Sequence, residues 1–187
     1  MSDSSQTIRK SPTKLTYDEY VLFPDDGKRH EIIGGRHYMN AAPNPRHQYI
    51  SRYIHRQLFD QIEEPGHGDV IYAPVDLQLS LWDVVQPDIV IVLAANRIIT
   101  TTKIKGIPDL VIEILSPSNR KHDLELKKQL YEQSSVPEYW IVDPENQTVT
   151  RHCLSEGGTF ATPTVFTESI TFNGIPGGAT VDLTRVW

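Results

Sequence analysis

Apolar residues recur at every fourth position in Ile50, Ile54, Leu58 and Ile62, a spacing that draws one stripe along a helix. Asn44 and Pro45 supply an N-cap and a first-turn proline ahead of it, and Pro65-Gly66-His67-Gly68 closes it, so a long helix is predicted to about Glu63. Elsewhere the apolar positions bunch. Residues 88–93 and 110–115 are β-branched-rich runs introduced by proline, the mark of buried strands. Further strands are predicted over 70–73, 75–81, 138–142 and 148–153, the last two joined by a turn at 144–147. Residues 29–33 and 36–40 flank Gly34-Gly35 as a hairpin. Thr16 and Glu19 form a capping box that starts a short helix through Leu22 or Phe23. A second long helix is expected over 119–134, and short closing strands over 165–172 and 180–186. The pattern predicts a mixed α/β fold of the α+β kind, a central mixed sheet clasped by helices. Residues 1–14 read as a disordered polar tail, and 15–187 as one domain.

Composition narrows the class. The chain of 187 residues is long enough to bury a sizeable core. It has no apolar stretch near the roughly 20 residues that span a bilayer, and its N-terminus lacks the apolar segment of a secretory signal. A single cysteine, Cys153, excludes an intrachain disulfide framework and a Cys-rich zinc site, so a cytoplasmic setting is expected. The net charge of −6 argues against a surface basic throughout. Arg46, Arg52, Arg56, Lys103, Lys105, Arg120 and Lys121 could rim a local groove for phosphates, although scattered basic residues are commonly just solvated surface.

The chemistry starts from two carboxylates inside apolar runs, Asp88 and Glu113. A buried carboxylate must be paired, protonated or bound to a metal. Two of them on strands that plausibly neighbour each other suggest one site for a hard cation such as Mg²⁺. The plainer reading is that Asp88 caps a turn and Glu113 pairs with a buried Arg or Lys. On the following helix, Leu124, Leu126, Leu130 and Tyr131 define the apolar arc and Lys127 projects into its middle, whereas Lys128 lies outside. Lys127 either pairs with Asp123 one turn before it or belongs to a buried site.

Asp88 on one strand, Glu113 on the next and a helix behind resemble the PD-(D/E)XK nuclease superfamily. More narrowly, the chain resembles the Uma-two-type restriction endonuclease family. The likeness runs through Arg29-His30-Glu31-Ile32-Ile33-Gly34-Gly35, Ala42-Pro43-Asn44-Pro45-Arg46-His47-Gln48 and Gln86-Pro87-Asp88. It continues through Pro108 to Ser118, Asp123-Leu124-Glu125-Leu126-Lys127 with Tyr131, and Glu138 to Pro144. The chain departs from the superfamily pattern at Leu115, where a lysine usually stands; in the narrower family that lysine is relocated to the helix position held here by Lys127.

The resemblance implies a restriction-endonuclease-like core and metal-dependent hydrolysis of DNA phosphodiester bonds. Asp88 and Glu113 would hold Mg²⁺ or Mn²⁺, with the Ile114 carbonyl as a further ligand. Lys127 would orient water or neutralise the transition state. Glu31 would be a further acid of the site, against the plainer reading of a solvated strand charge. His47 shares the helix face of Ile50 and Ile54, which favours a buried, hydrogen-bonded histidine, while the resemblance places a histidine near the pocket. Two other readings stay open: a non-catalytic nuclease-fold protein that binds nucleic acid or a partner, and a hydrolase of a small phosphodiester. Because one site cuts one strand, a twofold homodimer is expected, with the C-terminal apolar residues around Val165-Phe166 and from Val181 to Trp187 as its surface.

Overall fold

A computed structural model describes residues 14–40, 42–116 and 122–187, the side chains of 122–124 excepted. The expected N-terminal tail, apart from Lys14, lies outside the described residues, as do Arg120, Lys121 and the side chain of Asp123.

Thr16 and Glu19 make the expected capping box, and α1 (Tyr17–Tyr20) follows, continued by tighter turns in which Leu22 and Phe23 N–H groups donate to Glu19 and Tyr20 carbonyls. Strands β1 (Arg29–Ile33) and β2 (Arg36–Asn40) form the hairpin, with Gly34 and Gly35 both at positive φ. That conformation admits glycine freely and gives the two-residue turn its hand. Helix α2 (Pro45–Leu58) begins where the Asn44 side chain accepts from the His47 N–H. It runs on through a wider, π-type turn (Phe59–Glu63). A strict four-residue spacing overshoots a turn of 3.6 residues, and the wider turn swings Ile62 back toward the stripe. All four stripe residues are buried.

The remaining strands are β3 (Gly68–Tyr72), β4 (Leu77–Gln78), β5 (Val84–Val85), β6 (Ile89–Leu93), β7 (Ile104–Lys105), β8 (Leu110–Ile114), β9 (Glu138–Asp143), β10 (Thr148–Cys153), β11 (Thr164–Phe166), β12 (Ser169–Phe172) and β13 (Ala179–Asp182). A π-type segment (His122–Lys127) leads directly into α3 (Lys128–Gln133). The expected strand over 75–81 shortens to β4, because Leu79 N–H turns onto the Asp83 carbonyl and the Ser80 hydroxyl onto the Asp83 carboxylate. Strands β5 and β7 were not predicted; two residues carry no readable alternation.

Two sheets result, a six-stranded one in the order β11-β10-β9-β8-β6-β3 and a five-stranded one in the order β2-β1-β5-β4-β7, beside the separate hairpin β12-β13. In the larger sheet β8 and β9 are parallel and the other pairs antiparallel. Alternation along β6 and β8 sends Ile89, Ile91, Leu110 and Ile112 to a first core with the α2 stripe. It sends Val90, Val92 and Val111 to a second core, with Ile33, Leu77, Val85 and Ile104 of the smaller sheet and Leu130 and Tyr131 of α3.

The C-terminal residues belong to the first core. Ile170, Phe172, Val181, Leu183 and Val186 are buried in it, with Phe166 and Trp187 packed against it. The Gln57 and Gln61 side-chain amides each both donate to and accept from the β13 backbone, at Asp182 and Thr180 respectively. These residues are therefore not the spare apolar surface expected to seek a second subunit; only Val165 among them stands well exposed. Among the described residues no helix is long and apolar enough to cross a membrane.

Candidate functional site

Strand register brings the two carboxylates together. Ile89 of β6 lies opposite Ile112 of β8, so one step outward Asp88 comes opposite Glu113. Directly opposed residues of an antiparallel pair point to the same face. Both side chains thus turn with Val90 and Val111 toward the second core. In the smaller sheet Glu31 sits between Arg29 and Ile33 on the β1 face that supplies Ile33 to that same core.

Lys127 joins the elements. Its Nζ lies 2.9 Å from Glu31 Oε1 and 2.8 Å from Glu113 Oε1, with all three residues at most 3% exposed. Tyr131, one turn further on, donates its hydroxyl to Glu113 Oε1 at 2.7 Å. Glu31 also accepts from the Gln86 N–H and the Asn40 amide, both at 2.8 Å. Around Asp88 the partners are Arg29 Nη1 at 2.9 Å, His47 Nε2 at 3.0 Å and the Ile114 N–H at 2.9 Å. The carboxylate makes the histidine Nε2 the donor. His47 Nδ1 is buried with no hydrogen-bond partner among the described residues.

These contacts set the charge states. Burial pushes the Glu31 carboxyl up, but the Lys127 charge and the donors from Gln86, Lys127 and Asn40 outweigh it and hold the pKa below the ordinary value. For Asp88, too, burial acts upward, and His47, the Ile114 N–H and Arg29 together bring the pKa below the usual carboxylate value. Burial, then the neighbouring Glu113 charge, raises the Tyr131 hydroxyl well above its ordinary value, so it serves as a donor.

Arg29, His47, Asp88, Glu113 and Lys127 line one cavity of about 20 Å³. That volume admits a water-sized group, since about 10–15 Å³ suffices for one. Next to it, and sharing His47, lies a cavity of about 90 Å³ bordered by Asn44, Arg46, Ser116, Asp143 and Glu145.

Glu31, His47, Asp88, Glu113, Ile114 and Lys127 therefore fall in one locality, whereas Arg52, Arg56 and Lys103 of the expected phosphate rim lie elsewhere, Arg56 on Asp60 and Lys103 over the Tyr17 ring. Glu31 is not a solvated strand charge, and His47 is both buried and hydrogen-bonded to Asp88. The plainer expectation for Glu113, a buried lysine partner, also holds in this geometry. Lys128 is half-buried rather than fully solvated. Of Ile114, what the structure shows is an N–H bonded to Asp88. Arg29, Asn40 and Gln86 escaped the sequence reading as members of the site, and Tyr131 entered it through the apolar arc and the family likeness, with no role in the site. The one usable signal was spacing: Arg29 stands two residues from Glu31 on a strand, and Tyr131 four from Lys127 on a helix.

The donors are hard carboxylate oxygens, which suits Mg²⁺ or Mn²⁺ in type. Among the described residues, however, no three His, Cys, Asp or Glu groups converge closely enough to hold an ion. The carboxylates face Arg29, His47, Lys127 and Tyr131 instead, so an ion would have to displace some of these bonds.

The mixed α+β arrangement is a nuclease-like fold. It is shared by a crystal structure from Anabaena variabilis ATCC 29413 described as "a putative nuclease belonging to DUF820", with a TM-score of 0.73 and 19% identity over 92% of this chain and 97% of that one. At such low identity the likeness is one of fold. Residues 17–184 match the family model described as "Uma2: Putative restriction endonuclease", and the chain belongs to the Uma2 family. No curated protein matches it.

Proposed function

We propose that this protein is a metal-dependent endonuclease that hydrolyses phosphodiester bonds of DNA. The observation that carries the reading is the convergence of Asp88 and Glu113, from paired strands, on a cavity that Lys127 enters from the helix behind. Membership of a family described by nuclease activity supports it.

Asp88 and Glu113 would hold Mg²⁺ or Mn²⁺, with the Ile114 carbonyl as a further ligand; when bound, the ion supplies Lewis acidity toward phosphate oxygens and acidifies water. The chain's own residues do the positioning. Glu31, held by Asn40 and the Gln86 N–H, anchors Lys127 beside Glu113. From there the ammonium would orient a water or meet charge developing on the phosphate. It reaches this place from the helix, while Leu115, where the superfamily carries its lysine, is buried in the second core. Arg29 and His47 keep Asp88 ionised and fix its orientation. A double-strand break takes two such sites, which a twofold homodimer would supply; light scattering at micromolar concentration tests this by mass.

A second reading has its own observation. The carboxylates are engaged by Arg29, His47, Lys127 and Tyr131, bonds that an entering ion would have to displace and that a non-catalytic nucleic-acid-binding protein would keep. A cleavage assay on single-stranded, linear and supercoiled DNA with Mg²⁺, Mn²⁺ or EDTA separates the two. The nuclease reading expects metal-dependent products that vanish in Asp88→Asn and Glu113→Gln. Products in EDTA, or none with either ion, would overturn it.

A further inference from the structure

Beside the site, the outer edge of the larger sheet carries a groove that neither core uses. It lies between α2 and the end of β3, holds about 400 Å³, and is bordered by Gln48, Tyr49, Ser51, Arg52, His55 and Tyr72. Its tyrosines are unusually open to water: Tyr49 is 54% and Tyr72 61% exposed. A tyrosine buries a large apolar surface when it can, so two of them held open in one groove mark a binding surface.

The rings are held in place. His55 Nε2 donates to the Val70 carbonyl at 3.0 Å, and its ring meets Tyr72 edge-on with centroids 4.7 Å apart. The Arg52 guanidinium lies 5.1 Å from the ring centroids of both Tyr49 and Tyr53, which fixes the cation on the open face of α2. Arg56 is already taken by Asp60 at 2.8 and 2.9 Å, leaving Arg52 as the cation lining the groove.

Position ties the groove to the site. Ser51 follows His47 by four residues, about 6 Å along the helix axis. Tyr72 pairs with Ile89, and the next residue, Ala73, donates its N–H to the Asp88 carbonyl at 2.9 Å. The groove therefore lies at the same end of the sheet as Asp88, with Tyr72 on the Ile89 face and the Asp88 carboxylate on the other.

We propose that this groove binds an unpaired stretch of nucleic acid, its bases stacked on Tyr49 and Tyr72 and a phosphate on Arg52. Bases in a duplex have their π-faces covered by their neighbours, so open aromatic rings select a strand out of the stack. Charge complementarity here is local: Arg52 on the groove wall meets a phosphate, against an overall charge of −6 that repels one. The inference rests on the nuclease reading for its substrate class and names the form of nucleic acid gripped.

The test uses the full chain in EDTA, so that binding is read without cleavage. The probes are a fluorescein-labelled oligothymidylate and a hairpin duplex of equal charge, followed by anisotropy. The wild type binds the single strand more tightly. Tyr72→Ala and Tyr49→Ala each weaken that binding about tenfold, while Tyr72→Phe keeps it and duplex binding does not change. Arg52→Ala lowers the dependence of log K on log salt by about 0.7, the single-strand value for one phosphate. Unchanged single-strand affinity in the tyrosine variants overturns the proposal, as does an equal loss on duplex. So does a dimer in sedimentation that the same variants split, which would make the groove a seat for a second copy. Metal-dependent cleavage with normal binding by the tyrosine variants removes the groove alone; tyrosine-dependent binding without cleavage removes the catalytic reading alone.

Discussion

On one face of the six-stranded sheet, Ile50, Ile54, Leu58 and Ile62 of α2 meet Ile89, Ile91, Leu110 and Ile112, and the C-terminal hairpin extends the same apolar layer. On the other face the same two strands offer Val90, Val92 and Val111, but at their ends Asp88 and Glu113 confront Glu31 and Lys127. The two faces are equally dry, Leu58 and Glu31 both being 0% exposed. What differs is how burial is compensated. An apolar side chain gains about 25 cal/mol per Å² simply by leaving water. A carboxylate loses its hydration and must recover it from partners at fixed positions. The first face tolerates rearrangement; the second depends on each partner being present.

Removing Lys127 should therefore be the most damaging single change. Lys127→Ala leaves Glu31 and Glu113 buried without their shared cation, and a loss of about 3–5 kcal/mol is expected in urea unfolding. Burial of the Lys127 ammonium between two carboxylates thus predicts a loss of folding stability beside any loss of activity. Adding Glu31→Gln and Glu113→Gln to Lys127→Met should recover most of the stability. If it does not, packing rather than charge governs this face.

On the apolar face Ile54→Ala should cost about 2–5 kcal/mol by transfer and cavity terms, nearer the lower figure if the stripe closes around the gap. No pairing residue should rescue it, and its effect should add to that of a distant polar-face variant within about 0.5 kcal/mol. Strong coupling between Ile54→Ala and Glu31→Gln in a double-mutant cycle would break the division into two independent faces.

Divalent ion should act on the polar face alone. At a tenfold excess over its dissociation constant Mg²⁺ or Mn²⁺ should stabilise the protein by about 1.4 kcal/mol, through binding only the folded state. Asp88→Asn and Glu113→Gln should abolish the rise in melting temperature, and Ile54→Ala should retain it. A melting temperature indifferent to either ion at millimolar concentration would favour the non-catalytic reading.

The last effect is the response to pH. His152, buried among Tyr139 and Phe160, is pushed down to about 4, by burial first and then by Lys128, against the pull of Glu132. Its folded pKa lies below the ordinary value of 6.5, so the neutral ring is favoured in the folded state. The contribution is complete above 6.5 and is lost as pH falls from there toward 4. Asp88 and Glu31, whose pKa values are lowered, add stability above their ordinary values of 3.8 and 4.5 and give it up only at more acid pH. His152→Phe should flatten the earlier limb of a stability–pH curve and leave the later one. Glu31→Gln should alter only the later one.

The hairpin 29–40, the strand Thr148–Cys153 and the buried α2 stripe were all legible in the sequence, because each follows from periodicity and turn chemistry within a few residues. Lys127 was legible too, since an ammonium inside an apolar arc stands out by its angle alone. The tertiary structure decided the rest. Two-residue strands such as β5 and β7 exist only because a neighbour pairs with them. The C-terminal residues looked like spare apolar surface until α2 and the sheet covered them. Arg29 and His47 reach Asp88 from elements far along the chain, and Tyr131 turns its hydroxyl onto Glu113, contacts that local spacing cannot encode. Sequence pattern records which residues must leave water; which partner then meets a buried charge is settled by how the sheets and helices pack.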